Sequence, residues 1–280
     1  MNLGISYWSF EGGGAGTLPV EDAMQKAKAA GFDGIELACS TSGVLNTQTD
    51  QATCEKYRKA AERIGINVKT MAAGLTWGCS PTSPDESTRK KSIQLHADAL
   101  QRAAWLGVDS MLMVPGAVII PWDDKYAPVK YDQAVNWAKE AAKRLAETAE
   151  KVGVDLCLEN VWNGMFYSPL EFAAFVDSTG SPRVGAYFDV GNVLGYHQHP
   201  PHWIEILGKR IRRVHIKDFK KSVGTLSGFC DLLAGDVPWK ETIHALRAIG
   251  YDKTLVAEMM PPDATLLERT KAAMDKIVKM

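Results

Sequence analysis

Eight short runs rich in apolar and β-branched residues alternate with longer helical patterns along this chain of 280 residues. The β-like runs are Leu3–Trp8, Phe32–Leu37, Asn67–Ala72, Ser110–Val114, Val154–Glu159, Arg183–Asp189, Arg213–Lys217 and Thr254–Glu258. The helical patterns, where apolar residues recur every three or four positions, are Val20–Ala30, Gln51–Ile64, Glu86–Leu106, Tyr131–Val152, Pro169–Asp177, Trp203–Leu207, Trp239–Ile249 and Ala264–Val278. Because parallel strands are joined by long crossovers, this alternation predicts a parallel sheet of βαβ units.

Glycines end several of the helical patterns just before the next strand begins. These residues are Gly31, Gly65, Gly107, Gly153 and Gly250, at positions where a helix commonly ends in a left-handed residue. Eight such repeats suit a closed ring, so we predict a single (β/α)8 TIM barrel that forms one domain over residues 1–280. The long connections Gly74–Asp85, Ile119–Val129 and Gly224–Val237 follow strands, and we expect them on the active face of the barrel.

Charge and composition exclude several other classes of protein. The 32 basic and 33 acidic residues give a net charge of −1, without the basic excess of a nucleic-acid-binding surface. No apolar run is long enough to span a membrane, and Met1–Phe10 lacks the pattern of a secretion signal. The five cysteines are widely spaced and indicate neither a disulfide framework nor a thiolate zinc site. These features predict a cytoplasmic protein with no nucleic-acid or membrane partner.

Four consecutive predicted strands end in a side chain that can bind a metal ion. These residues are Glu159, Asp189, His215 and Glu258. In a (β/α)8 barrel the carboxyl ends of the strands meet at one rim, where catalytic groups lie. Three carboxylates and one imidazole form a mostly oxygen ligand set. We therefore predict one divalent ion at this rim, Mn²⁺ in the first place, with Mg²⁺, Co²⁺ and Zn²⁺ as alternatives.

Six sequence phrases resemble a known family. They are GFDGIEL at 31–37, CLENVWN at 157–163, GAYFDVGNV at 185–193, VHIKD at 214–218, AGDVPW at 234–239 and LVAEM at 255–259. Together they are similar to the xylose isomerase-like sugar isomerases and epimerases, with the ketose 3-epimerases and pentulose-5-phosphate 3-epimerases as the nearest groups. The resemblance implies one divalent ion held by the four residues above and a sugar or sugar phosphate bound through two neighbouring oxygens.

Inversion of a carbon next to a ketone needs a base and an acid on opposite faces of that carbon. The fifth and eighth strands lie across the barrel mouth from each other, so we assign the proton transfers to Glu159 and Glu258. Asp189 and His215 are expected to serve as metal ligands only. The expected reaction is ketose C3 epimerisation through an enediolate.

Five further residues are predicted to contact the substrate or to orient it. Trp8 and Trp162 would cover the apolar faces of a sugar, and Lys217 would bind a hydroxyl or a phosphate. Glu36 ends the second predicted strand and would orient the substrate or a neighbouring side chain. Asn192 stands where many ketose 3-epimerases carry a histidine, and it would hydrogen-bond a sugar oxygen.

Other functions share this set of residues. An aldose–ketose isomerase uses the same enediolate, and a dehydratase or lyase on a keto-sugar or keto-cyclitol begins with the same deprotonation. The DNA-repair endonuclease branch of the superfamily and a non-catalytic sugar-binding barrel are further alternatives. The resemblance also allows a homodimer or a homotetramer.

Overall fold

The computed structural model describes residues 1–280 and contains eight parallel strands in a closed barrel. We number these barrel strands β1–β8: Leu3–Ser6, Gly34–Cys39, Thr70–Ala73, Ser110–Met113, Asp155–Glu159, Val184–Asp189, Ile211–Ile216 and Leu255–Ala257. Their order around the ring follows the chain, and β1 closes the barrel by pairing with β8. The predicted single (β/α)8 barrel is confirmed.

Nine α-helices surround or cap the barrel. They are α1–α9: Val20–Ala29, Gln51–Ile64, Glu86–Leu106, Tyr131–Val152, Pro169–Asp177, Val190–Gly195, Pro200–Leu207, Trp239–Ala248 and Leu266–Ile277. After β7 a short antiparallel ribbon pairs Asp218–Phe219 with Phe229–Cys230. None of the helices combines the length and the apolar character needed to cross a membrane.

The structure differs from the sequence-based helices after β6. Helix α6 was not predicted, because Gly191 and Gly195 weaken its helical signal. It begins directly at the strand end, where the Asp189 carboxylate accepts a hydrogen bond from Asn192 N at 2.8 Å and caps the helix. Helix α7 begins at Pro200, before the predicted Trp203, since proline fits the first turn, where its missing N–H is no loss.

Side chains inside the barrel support the residues that form its mouth. Ala72, Leu112, Cys157 and Tyr187 form a fully buried cluster contributed by β3 to β6. Because side chains two apart on a strand share a face, Cys157 and Tyr187 place Glu159 and Asp189 on the same inward face, nearer the carboxyl ends. The large apolar cluster lies mainly between the strands and the helices. The acidic residues therefore stand at the mouth on a closely packed base.

Candidate active site

The four predicted metal-binding residues meet at the carboxyl ends of β5 to β8. One potential ligand atom from each of Glu159, Asp189, His215 and Glu258 lies within 4.8 Å of the others. All four residues are buried, and none exposes more than 7% of its surface. The structure thus brings together side chains that are up to 99 positions apart in the sequence.

Asp189 supplies a carboxylate oxygen that has no hydrogen-bond partner. Its Oδ1 caps α6, whereas its Oδ2 is buried and accepts no hydrogen bond. Lys217 Nζ lies 3.1 Å from Oδ2 and neutralises its charge without a hydrogen bond of good geometry. An orphaned buried oxygen among two further carboxylates and an imidazole fits a divalent cation. The residues present are therefore compatible with the predicted ion.

The His215 imidazole is held from behind by Glu36. Glu36 Oε1 lies 2.7 Å from His215 Nε2, and its Oε2 accepts hydrogen bonds from Thr70 Oγ1 at 3.1 Å and from the Tyr187 hydroxyl. This leaves His215 Nδ1 facing the cluster, 3.0 Å from Glu258 Oε2. A carboxylate on the far nitrogen of a metal-binding histidine fixes its tautomer and orientation.

The position of Glu36 favours the second of its two predicted roles, the orientation of a neighbouring side chain, over a contact with the substrate. Glu36 is completely buried and does not line the cavity. Sequence reasoning placed it correctly on β2 but missed its partner on β7, because the two residues are 179 positions apart. It orients an imidazole and does not touch the space where a substrate would lie.

Lys217 lies inside the cluster as the only cation that lines the cavity. Its Nζ is 3.1 Å from Asp189 Oδ2 and 3.1 Å from Glu258 Oε2. Burial lowers the pKa of this ammonium, but the charges of Asp189, Glu258 and Glu159 outweigh burial and raise it above its ordinary value. Lys217 is therefore a charged partner of the carboxylates.

The two glutamates have different electrostatic surroundings. Burial raises the pKa of Glu159 above its usual range, because the nearby positive charges only partly compensate for the loss of water. Burial acts in the same direction on Glu258, but Lys217 and His215 outweigh it and hold the pKa of Glu258 below its usual range. Paired carboxyls whose environments push their pKa values apart are typical of acid–base sites.

A cavity of about 600 Å³ opens above this cluster. Glu159, Glu258 and four of the five predicted substrate contacts line it: Trp8, Trp162, Asn192 and Lys217. Sequence reasoning did not assign the remaining lining residues to the site: Trp77, Val114, Trp122, Val161, Asp218, Leu226, Phe229, Cys230, Met259, Met260, Pro261 and Pro262. Trp77, Trp122, Leu226, Phe229 and Cys230 belong to the three long connections that were expected on this face.

Trp162 is fixed in the wall by neighbouring elements. Its indole N–H donates to the Asn192 carbonyl at 3.0 Å, and its ring meets the Phe219 ring edge-on with centroids 5.4 Å apart. A Cβ atom at Gly195 would overlap the indole, so α6 approaches this closely only with glycine there. The Asn192 side chain donates to the Asn160 carbonyl at 2.9 Å, which ties α6 to the end of β5.

Comparison with known proteins identifies the class to which this barrel belongs. The family described as the xylose isomerase-like TIM barrel matches residues 24–278. The chain therefore belongs to this family, and the resemblance seen in the sequence phrases is confirmed.

Individual relatives point to epimerases. The chain is 25% identical over 240 residues to the D-psicose 3-epimerase of Ruminiclostridium cellulolyticum, covering 84% of this chain and 76% of that protein. It is 22% identical over 238 residues to an Escherichia coli (strain K12) protein named as a candidate L-ribulose-5-phosphate 3-epimerase, covering 83% and 81%. The crystal structure of a D-tagatose 3-epimerase-like protein matches with a TM-score of 0.80 at 20% identity, covering 100% of this chain and 97% of the other. These relatives agree with the predicted isomerase class.

Proposed function

We propose that this chain is a divalent-metal-dependent ketose 3-epimerase in which Glu159 and Glu258 transfer the protons. The observation that carries the proposal is the buried cluster of three carboxylates and one imidazole at the base of the cavity. Two of its carboxylates, Glu159 and Glu258, also line the cavity. The names of the relatives support the same reaction.

Glu159, Asp189, His215 and Glu258 would hold the ion. When bound, a divalent cation supplies Lewis-acid stabilisation of the negative charge that develops on substrate oxygens next to the reacting carbon. Glu36 keeps His215 Nδ1 turned toward the cluster. Lys217 lies beside the same carboxylates and offers an N–H donor to a substrate oxygen.

The two glutamates divide the proton transfers between opposite faces of the substrate. Their strands, β5 and β8, are separated in the barrel by β6 and β7, so their carboxyl groups approach the cavity from different sides. One carboxylate removes the proton from the carbon next to the ketone, which leaves an enediolate. The other carboxyl group returns a proton to the opposite face, and the carbon is inverted.

A panel of free and phosphorylated ketoses in D₂O tests this proposal. Protein loaded with Mn²⁺ or Co²⁺ should exchange the proton at C3 of at least one ketose and form its C3 epimer, and chelation should abolish both. Full activity in a sample verified to be free of metal would contradict the metal requirement. Loss of a β-hydroxyl in the product would identify a dehydratase, and an aldose product would identify an aldose–ketose isomerase.

Several finer expectations remain predictions. Mn²⁺ as the native ion is tested by elemental analysis of protein purified without added metal. A homodimer or homotetramer is tested by light scattering. One cooperative unfolding transition would support a single domain over residues 1–280, and fractionation of cells would test the cytoplasmic location. The absence of a nucleic-acid partner is tested by filter binding.

A further inference from the structure

The cavity changes in character from its base to its rim. At the base, the metal-binding residues Glu159 and Glu258 expose only 4% and 7% of their surface. At the rim, Trp122 and Met260 are 49% and 57% exposed although both line the same cavity. The Trp122 ring meets the Trp77 ring edge-on with centroids 4.7 Å apart. The outer part of the cavity is therefore aromatic and aliphatic, and open to solvent.

The cavity is also larger than the proposed reaction requires. Its volume of about 600 Å³ lies in the range of ~300–1,000 Å³ typical of sites for drug-sized ligands. A single ketose that reaches the glutamates at the base leaves the outer part unfilled. Exposed apolar surface that borders a site commonly marks a place where a ligand binds. The lining residues Trp77, Trp122, Leu226 and Met260 include the large apolar side chains most exposed to solvent and surround this outer part.

The same cavity provides no free positive charge for a phosphate. Lys217 is its only cation, and two carboxylates already hold the Lys217 ammonium at 3.1 Å. Lys220 and Lys221, which could have met a phosphate, are exposed and do not line the cavity. Phosphate sites in proteins use arginine, lysine or exposed backbone N–H groups. An anionic group at the rim would meet mainly indole, thioether and aliphatic surface.

We infer that the outer part of the cavity is a subsite for an uncharged ring attached to the end of the ketose remote from the reacting carbon. This inference rests on the proposed function, which places the ketone end of the substrate at the glutamates. The ring presents an apolar face to Trp77 and Trp122, as both sugar rings and aryl groups do. The preferred substrate is thus a ring-substituted ketose, which should bind more tightly than a free ketose or a ketose phosphate.

Four ketoses that differ only at O6 test the subsite. The probes are 6-O-methyl-D-fructose, 6-O-benzyl-D-fructose, isomaltulose, which carries a glucose ring at O6, and D-fructose 6-phosphate. We expect at least one ring-bearing probe to bind roughly tenfold more tightly than the methyl ether, as aromatic contacts of this size provide, and the phosphate to bind more weakly than the methyl ether. Calorimetry measures the affinity of each probe, and C3 exchange in D₂O measures the reaction. The ring probe that binds more tightly identifies the ring as aryl or sugar.

The outcomes separate the subsite from the proposed function. Tighter binding of a ring probe without C3 exchange in any probe would overturn the epimerase and keep the subsite. Exchange in the methyl ether, with neither ring probe binding more tightly than the methyl ether, would overturn the subsite and keep the epimerase. Preference for the phosphate would also overturn the subsite.

A pair of tryptophan variants locates the subsite. Trp122→Ala should reduce the tenfold preference for the ring probe over the methyl ether to about twofold, since the half-exposed indole supplies much of the contact. Trp137→Ala is the matched control, because Trp137 lies on α4 under the Arg89 guanidinium and does not line the cavity. An unchanged preference in a folded Trp122→Ala protein, checked by circular dichroism, would contradict the assignment.

Discussion

The two halves of the barrel mouth are built from different kinds of residues. On the side of β5 to β8, the strand ends carry Glu159, Asp189, His215 and Glu258. Lys217 lies two residues after His215 on the same side. On the side of β1 to β4, the cavity is lined by Trp8, Trp77, Val114 and Trp122. The only acidic residue in the strands of that side, Glu36, lies in the middle of β2, is completely buried and contacts His215. The first half thus combines charged groups with the aromatic rings of Trp162 and Phe229, whereas the second lines the cavity with aromatic and aliphatic side chains only.

Under the proposed function, this difference separates the residues that transfer protons from those that contact the rest of the substrate. Side chains at the ends of hydrogen-bonded strands are held by the sheet and by each other, as precise proton transfer requires. The aromatic half lies largely on segments that follow the strands and is more exposed, as Trp122 illustrates. Changes in the charged half should therefore alter the reaction, whereas changes in the aromatic half should alter which substrate binds.

The largest effect is expected from the two glutamates of the charged half. Glu159→Gln and Glu258→Gln keep an oxygen toward the cluster but lose the group that accepts the proton, so net epimerisation should fall by about three orders of magnitude or more. Each variant should still exchange deuterium at C3 of one epimer and fail with the other, and the preference should reverse between the variants.

The metal content of the two variants distinguishes loss of the proton-accepting group from loss of the ion. Elemental analysis must show that both variants retain the ion, because loss of a ligand alone would also remove activity. Normal epimerisation in both metal-loaded variants would show that Glu159 and Glu258 are ligands only. The charged half would then hold the ion, and the acid and base would lie elsewhere.

Two fully buried histidines extend the comparison to stability. Burial lowers the pKa of His215, but the carboxylates of Glu36, Glu159 and Glu258 raise it well above its ordinary value. His96, on α3 behind the aromatic half, has no carboxylate partner; its Nδ1 is 2.8 Å from the Ser92 carbonyl oxygen. Burial lowers the pKa of His96 from 6.5 to about 4, and the bond to Ser92 only partly opposes this.

Acid should therefore destabilise the fold through His96. Between pH 6.5 and 4 the unfolded chain binds a proton at this residue and the folded chain does not, so stability falls as the pH falls. The loss attributable to His96 is about 3 kcal/mol across that window. Urea unfolding as a function of pH should show this slope in the wild type and a shallower one in His96→Gln. Equal slopes would mean that His96 does not titrate between pH 4 and 6.5.

The sequence was sufficient to predict the charged half because each of its four predicted metal ligands lies at or near the end of a strand that the sequence pattern predicts. Glu159, Asp189 and Glu258 directly follow apolar residues, and His215 lies between Val214 and Ile216 near the end of its strand. A closed parallel barrel brings such strand ends together. The contact of Glu36 with His215 depends on the three-dimensional arrangement of β2 and β7 across the barrel, which no local pattern encodes. The role of Glu36 therefore emerged only from the structure.

The rim of the cavity was harder to predict for a different reason. Leu226 lies in a three-residue 3-10 helix after β7, and Met260 and Pro262 follow β8 outside any helix or strand; such short segments lack the periodicity that identifies helices and strands. The sequence predicted that long connections would cover the mouth, but it did not reveal which side chains would turn inward. Helix α6 was missed for a related reason, since two of its six residues are glycine.

A smaller effect is expected from the carboxylate behind His215. Glu36→Gln keeps the shape of the side chain but removes the charge that holds His215 Nε2, so affinity for Mn²⁺ should fall about 10- to 100-fold. Tyr187→Phe removes only one hydrogen bond to Glu36 and should have a weaker effect in the same direction. Metal titration monitored by calorimetry distinguishes the two, and unchanged affinity in both would show that Glu36 has only a packing role.

The smallest effect is expected at the start of α3, beyond the aromatic half. Asp85 caps this helix, its carboxylate accepting hydrogen bonds from Ser87 N at 3.0 Å and Thr88 N at 3.3 Å. Asp85→Ala should lower the free energy of unfolding slightly, because two backbone N–H groups lose their acceptor, whereas Asp85→Asn keeps an accepting oxygen and should have a smaller effect. Because the cap is exposed and lies outside the cavity, both variants should bind Mn²⁺ and exchange C3 protons as the wild type does. A change in metal affinity in either variant would mean that the helices behind the aromatic half are coupled to the charged half, and the separation between the two halves would fail.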